Sequence, residues 1–129
     1  LFDPLDPLEK GFALETLVFH ELRVHNEARR KHRPIAFYRT AAGSEIDFII
    51  ETHPRERGMP PRVVLLEVKL ARTWNRKWEK AMRDLDGHPG IRVDRMIGVY
   101  TGERAYRFDG LDVLPIGQFL KQLHAGEVF

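Results

Sequence analysis

The sequence predicts an α/β domain with an α-β-β-β-α-β core, a mixed central sheet flanked by helices. Three observations predict it. An amphipathic stretch opens the chain, from Asp6 to about Lys31. Three β-type runs follow at 35–40, 45–51 and 62–70. A helical stripe of Trp74, Trp78, Met82 and Leu85 then separates the third run from a fourth at 95–100. A strand–helix–strand step of that kind joins parallel strands through a right-handed crossover.

The elements follow in order. Asp6 can cap the first helix, Pro7 suits its first position, and Glu9 completes a capping-box spacing. Leu8, Phe12, Phe19 and Leu22 form its apolar stripe. Glu15 falls inside that stripe, where a carboxylate is out of place. Pro34 closes the helical region, and Ala41-Ala42-Gly43-Ser44 reads as a hairpin turn. The run at 62–70 is almost continuously apolar, which suits a central strand. With the two runs before it, it reads as an antiparallel meander. Thr73 is the expected cap of the second helix, which 87–90 ends. Tyr106-Arg107-Phe108 and Val113-Leu114 suggest short edge strands around the Asp109-Gly110 turn, and 116–124 a terminal helix.

The 129 residues are enough for one domain with one core, spanning 1–129. Hydrophobic residues at 43% and charged residues at 31% describe a globular chain. The absence of cysteine excludes disulfides, thiolate zinc sites and cysteine nucleophiles, and fits a reducing cytoplasm. No apolar run approaches the roughly 18 residues of a membrane helix, so no membrane partner is expected. A net charge of +2 permits an anionic partner without requiring one. The chain begins at Leu1 without a methionine, as a piece of a longer protein or a trimmed one would.

Charges inside apolar strands are the informative feature. Asp47 interrupts Ile46 and Phe48, and Glu67 and Lys69 interrupt Leu66, Val68 and Leu70. Burying such groups is costly unless they are paired or bind a cation. Alternation puts Ile46, Phe48 and Ile50 on one face with Asp47 on the other, and Leu65, Glu67 and Lys69 together. If the strands are neighbours, Asp47 and Glu67 converge, and two adjacent carboxylates need a shared proton or a cation between them. Oxygen ligands, including the Val68 carbonyl, suit Mg2+ or Mn2+. A metal with Lys69 beside it equips a site for phosphodiester hydrolysis, and Glu15 could reach it from the first helix. Glu45 reads as solvated.

The helix glutamate, the strand aspartate and Glu67-Val68-Lys69 together resemble the PD-(D/E)XK nuclease superfamily. More closely, the chain resembles the DUF4143-type domains that follow AAA-type ATPase modules. The matching stretches are 11–18, 37–40, 43–49 and 66–69, with the tail from Gly98 to Ile116. The resemblance spans nearly the whole chain. It implies that Asp47 and Glu67 ligate Mg2+, that Lys69 positions the attacking water, and that Glu15 is an accessory acid. It also implies an ATPase module ahead of Leu1 and allows a homodimer. The superfamily often has proline before the aspartate, where this chain has Ile46.

Arg29, Arg30, Lys31 and Arg33, with Arg39, Arg72, Arg76 and Lys77, are candidate phosphate contacts for DNA. The alternative for the 29–33 run is a solvated helix end whose cations suit the dipole. Trp74 and Trp78 read as core rather than base-stacking residues. Beside the nuclease reading stands a second one, a catalytically inactive module for nucleic-acid or partner binding.

Overall fold

The computed structural model describes residues 7–129, with side chains from residue 9 onward. The expected cap at Asp6 and the side chain of Leu8 lie outside the described residues. The elements are α1 (Pro7–Ala28), β1 (Ile35–Arg39), β2 (Glu45–His53), β3 (Arg62–Lys69), α2 (Lys80–Asp86), β4 (Arg92–Tyr100), β5 (Tyr106–Phe108), β6 (Leu111–Pro115) and α3 (Ile116–His124). They build a mixed α/β fold around one six-stranded sheet in the order β1-β2-β3-β4-β6-β5. The first three strands pair antiparallel; β3–β4 and β4–β6 pair parallel; β5 returns antiparallel to β6.

Each sheet face has its own core. On one side α1 and α3 supply Val18, Leu22, Phe119 and Leu123 against Phe48, Ile50, Val64, Leu66, Val68, Ile97 and Val99. On the other, Trp74, Ala81 and Met82 cover Ile46, Val63, Leu65, Met96, Leu111 and Val113. β3 contributes to both faces along its length, which explains its near-continuous apolar run from Val63 to Leu66.

Several expectations are corrected. α1 ends at Ala28, short of Lys31. The Asn26 side chain there binds both the backbone N–H and the carbonyl of Arg33, each at 2.8 Å, and folds the chain back. The stripe through Phe12 and Phe19 is not the buried face. Phe12 is 62% exposed, and Val18, Leu22 and His25 are the residues α1 buries. Thr73 does not cap the second helix: a 3-10 turn (Arg76–Glu79), capped by the Asn75 side chain accepting from the Lys77 N–H, leads into α2, which has no side-chain cap of its own. Thr73 stands too early because Trp74 must first drop into the core. Val113-Leu114 belongs to an interior strand, since β6 lies between β4 and β5.

One packing detail bears on the site. A Cβ at Gly98, on β4, would lie 2.4 Å from the Trp74 ring. The bare backbone there is what lets the indole lie flat on the sheet. Gly98→Ala is therefore expected to destabilise the domain by about 2 kcal/mol or more through overpacking. Urea unfolding checks this, and a midpoint equal to wild type would show that Trp74 has room to move.

Candidate active site

The site begins where β2 and β3 part. Their ladder runs from His53↔Arg62 to Phe48↔Leu66 and goes no further toward the start of β2. The start of β2 pairs instead with β1, through Ile46↔Tyr38 and Glu45↔Arg39. Between Ile46 and Ile49, β2 carries one residue more than β1 does between Tyr38 and Ala36. Such a bulge reverses the alternation of side chains. Ile46 consequently packs on the Trp74 side, and Phe48 and Ile50 pack on the α1 side. The expectation that these three share a face is corrected by this irregularity.

Asp47 occupies the bulge. Its Oδ2 accepts the backbone N–H of Val68 at 2.7 Å. The carboxylate thus satisfies a donor of β3 just past the last paired residue, and it holds the fork open around itself.

Glu67 lies beneath the fork and is 2% exposed. Its partner across the parallel ladder is Gly98, the residue covered by Trp74, so an indole roofs its surroundings. Burial first, then the hydrogen bond to Asp47 and the charge of Asp47, push the Glu67 carboxyl up to about 10. Its Oε1 is buried with no hydrogen-bond partner. The Lys69 ammonium, 3.8 Å from that oxygen, opposes the shift. Glu67 therefore keeps its proton at neutral pH, as a buried carboxyl beside another carboxylate does without a cation. An orphaned buried oxygen beside a second carboxylate fits a hard divalent cation such as Mg2+ or Mn2+, which would displace that proton.

Above this pair lies an open cleft of about 310 Å³ lined by Gly11, Phe12, Glu15, Glu45, Asp47, Val68, Lys69 and Leu70. Glu15 enters it from α1. Burial, then the charges of Asp47 and Glu45, raise its pKa, while Lys69 and Arg39 counter them. Glu45 thus belongs to the site's electrostatics, although sequence reading leaves it solvated; its ion pair with Arg39 at 3.0 Å places both at the rim. The available signal is its position two residues before Asp47, which strand alternation places on the same face. A groove adjoining it carries Phe12, Phe19, Phe37 and Phe48 alongside Glu15 and Asp47.

Among the described residues, no group of three or more His, Asp or Glu side chains could hold a metal. The candidate ligand set is thus the Asp47–Glu67 pair, with a backbone carbonyl such as that of Val68 for a third donor.

The basic candidates are dispersed. Arg29 donates to the carbonyl of His124, and Lys31 stands over the Phe129 ring at 6.0 Å. At 1.5 Å rise per residue, Arg29 lies roughly 20 Å along α1 from Glu15. Arg30 follows at the left-handed φ of 52°, and Arg33 is held through its backbone by Asn26. Arg72 pairs with Glu103 at 3.3 Å, and Arg76 pairs with Asp109 at 2.8 Å and with Glu79. Lys77 is exposed in the 3-10 turn.

Fold and site together define a mixed α/β domain with a buried carboxyl, a half-buried carboxylate and a lysine at a strand fork. The family described as a domain of unknown function (DUF4143) matches residues 10–119, and the chain belongs to it. No curated protein and no solved structure matches the chain. No helix among the described residues is long and apolar enough to cross a membrane.

Proposed function

We propose that this domain is a metal-dependent nuclease of the PD-(D/E)XK type that hydrolyses DNA phosphodiester bonds. The observation that carries the reading is the buried Glu67 oxygen without a partner, set beside Asp47 and 3.8 Å from Lys69. Neutral Glu67 costs the fold less than an ionised one, but its orphaned oxygen remains a cost that a cation would relieve.

In this reading Asp47 and Glu67 hold Mg2+ or Mn2+. The ion, when bound, would offset phosphate charge and favour a hydroxide nucleophile. Lys69 orients the attacking water and stabilises the charge that develops on phosphorus-bound oxygen. Glu15 takes a proton from that water or holds it by hydrogen bonding, a role its raised pKa suits. The attack forms a P–O bond from water and breaks the P–O bond to the departing sugar oxygen, which takes up a proton.

A second reading, a non-cleaving binding module, has its own support. Arg39, Arg72 and Arg76 are engaged in ion pairs within the domain, which leaves fewer cations for a phosphate track. In either reading an ATPase module preceding Leu1, a homodimer and a cytoplasmic setting are part of the proposal.

The test is cleavage of end-labelled single-stranded, duplex and branched DNA with Mg2+ or Mn2+. Lys69→Ala is expected to lower the rate at least about 10²-fold, the usual cost of one preorganised electrostatic group, with thermal stability retained. Equal background cleavage by wild type and Lys69→Ala would sink the nuclease reading in favour of the second.

A further inference from the structure

We infer that Trp78 is a positioning residue that fixes the Lys69 ammonium beside the carboxyl pair. The inference deepens the nuclease reading above for its catalytic role, but its geometry stands without it. The Lys69 Nζ lies 5.5 Å from the centroid of the Trp78 ring, within cation–π range, and 3.8 Å from Glu67 Oε1. A lysine has four rotatable stem bonds, and the β3–β4 ladder, which ends at Lys69↔Tyr100, holds only its backbone. At 3.8 Å the Glu67 oxygen lies beyond hydrogen-bond reach, so the carboxyl alone does not fix the ammonium in one place. An indole face can, and indole is the strongest aromatic partner for an ammonium.

The indole is itself held. Trp78 packs edge-to-face on Trp74 with ring centroids 5.1 Å apart. The Trp74 Nε1 donates to the buried Glu79 carboxylate at 2.9 Å. Glu79 is in turn clamped by Arg83, whose Nη2 and Nε donate at 2.7 and 3.0 Å, and by Arg76. Arg83 also donates to the carbonyls of Phe108 and Asp109, tying the assembly to the β5–β6 turn. A fully paired ionic cluster thus anchors Trp74, Trp74 anchors Trp78, and Trp78 presents a face to Lys69. Sequence reading treats both tryptophans as core. Trp74 is core, whereas half-buried Trp78 has one face left for the lysine.

The experiment is NMR of the metal-free protein after reductive 13C-dimethylation of its lysines, which keeps their charge. Lys69→Arg assigns the Lys69 methyl signal by its loss. The expected result is a Lys69 signal moved upfield by the indole ring current, away from the solvent-exposed lysines. In Trp78→Leu that signal should return to the exposed group, and in Trp78→Phe it should stay partly shifted. In the cleavage assay, Trp78→Leu should lower kcat about 10-fold or more, as mispositioning does, with KM within about twofold, and Trp78→Phe should recover part of the loss. A Lys69 signal among the exposed lysines in wild type overturns the inference without any variant, and leaves the nuclease reading untouched. A shifted signal that survives Trp78→Leu overturns it too. A shifted, Trp78-dependent signal in a protein that cleaves nothing supports the positioning and overturns the nuclease reading.

Discussion

Asp47→Ala is expected to abolish metal-dependent cleavage, with a loss of about 10³-fold or more. That loss corresponds to the several kcal/mol that a bound cation contributes to a phosphoryl transition state. The same variant should lose the rise in melting temperature expected of the wild-type protein with Mg2+ or Mn2+ in the proposed site, because native-state binding is what stabilises. It carries a structural cost as well. Asp47 Oδ2 is the acceptor of the Val68 N–H at 2.7 Å, and its removal leaves that donor unpaired at about 1–3 kcal/mol. Asp47→Asn separates the two effects. An amide oxygen can still accept from Val68, so folding stability should stay near wild type while metal stabilisation and cleavage are lost. An Asp47→Asn protein that still gains stability from Mg2+ would remove Asp47 from the ligand set.

Glu67→Gln is expected to make the metal-free domain more stable at neutral pH and to flatten its pH dependence. The sign follows from the raised pKa. A carboxyl that titrates near 4.5 unfolded but near 10 folded favours folding fully only below about pH 4.5. As pH rises from there, the unfolded chain releases its proton first, and stability falls until the folded group also ionises. At pH 7 the loss is on the order of 3 kcal/mol. Glutamine is neutral throughout, and its amide can donate to Asp47. The variant should therefore match wild type near pH 4 and exceed it increasingly between pH 5 and 9. Added Mg2+ should narrow the gap by stabilising wild type alone. Denaturant titrations across that range check this, and parallel curves for the two proteins would show that Glu67 is not a buried carboxyl that keeps its proton.

Much of the architecture was legible because long apolar runs and their spacing are local properties. The order of helices and strands, the parallel step through α2, and the four unusual charges at Glu15, Asp47, Glu67 and Lys69 can all be read from neighbouring residues. Helix ends were less legible. Thr73 and Asn75 are both competent caps, and the choice between them rests on where Trp74 must be buried. Phe12 looks like core by its spacing with Phe19, yet that side of α1 faces an open groove. The place of β6 was not legible, because a short apolar run does not announce which strands will flank it.

The site divides the same way. Which residues are candidates for its chemistry can be read from the sequence alone: carboxylates and a lysine inside apolar strands demand partners, since burying bare charge is costly. What those groups do was decided by tertiary structure. The bulge in β2 is a matter of register against β1, and it turns Ile46 and Phe48 to opposite faces. The parting of β2 from β3 brings Asp47 to the Val68 N–H, and Trp74 over Gly98 dries the surroundings of Glu67. Glu67 owes its proton to these neighbours from distant parts of the chain. Protonation is set by local solvation and by the nearest charges, and folding brings the indole cover and the Asp47 charge to Glu67 from outside its own strand.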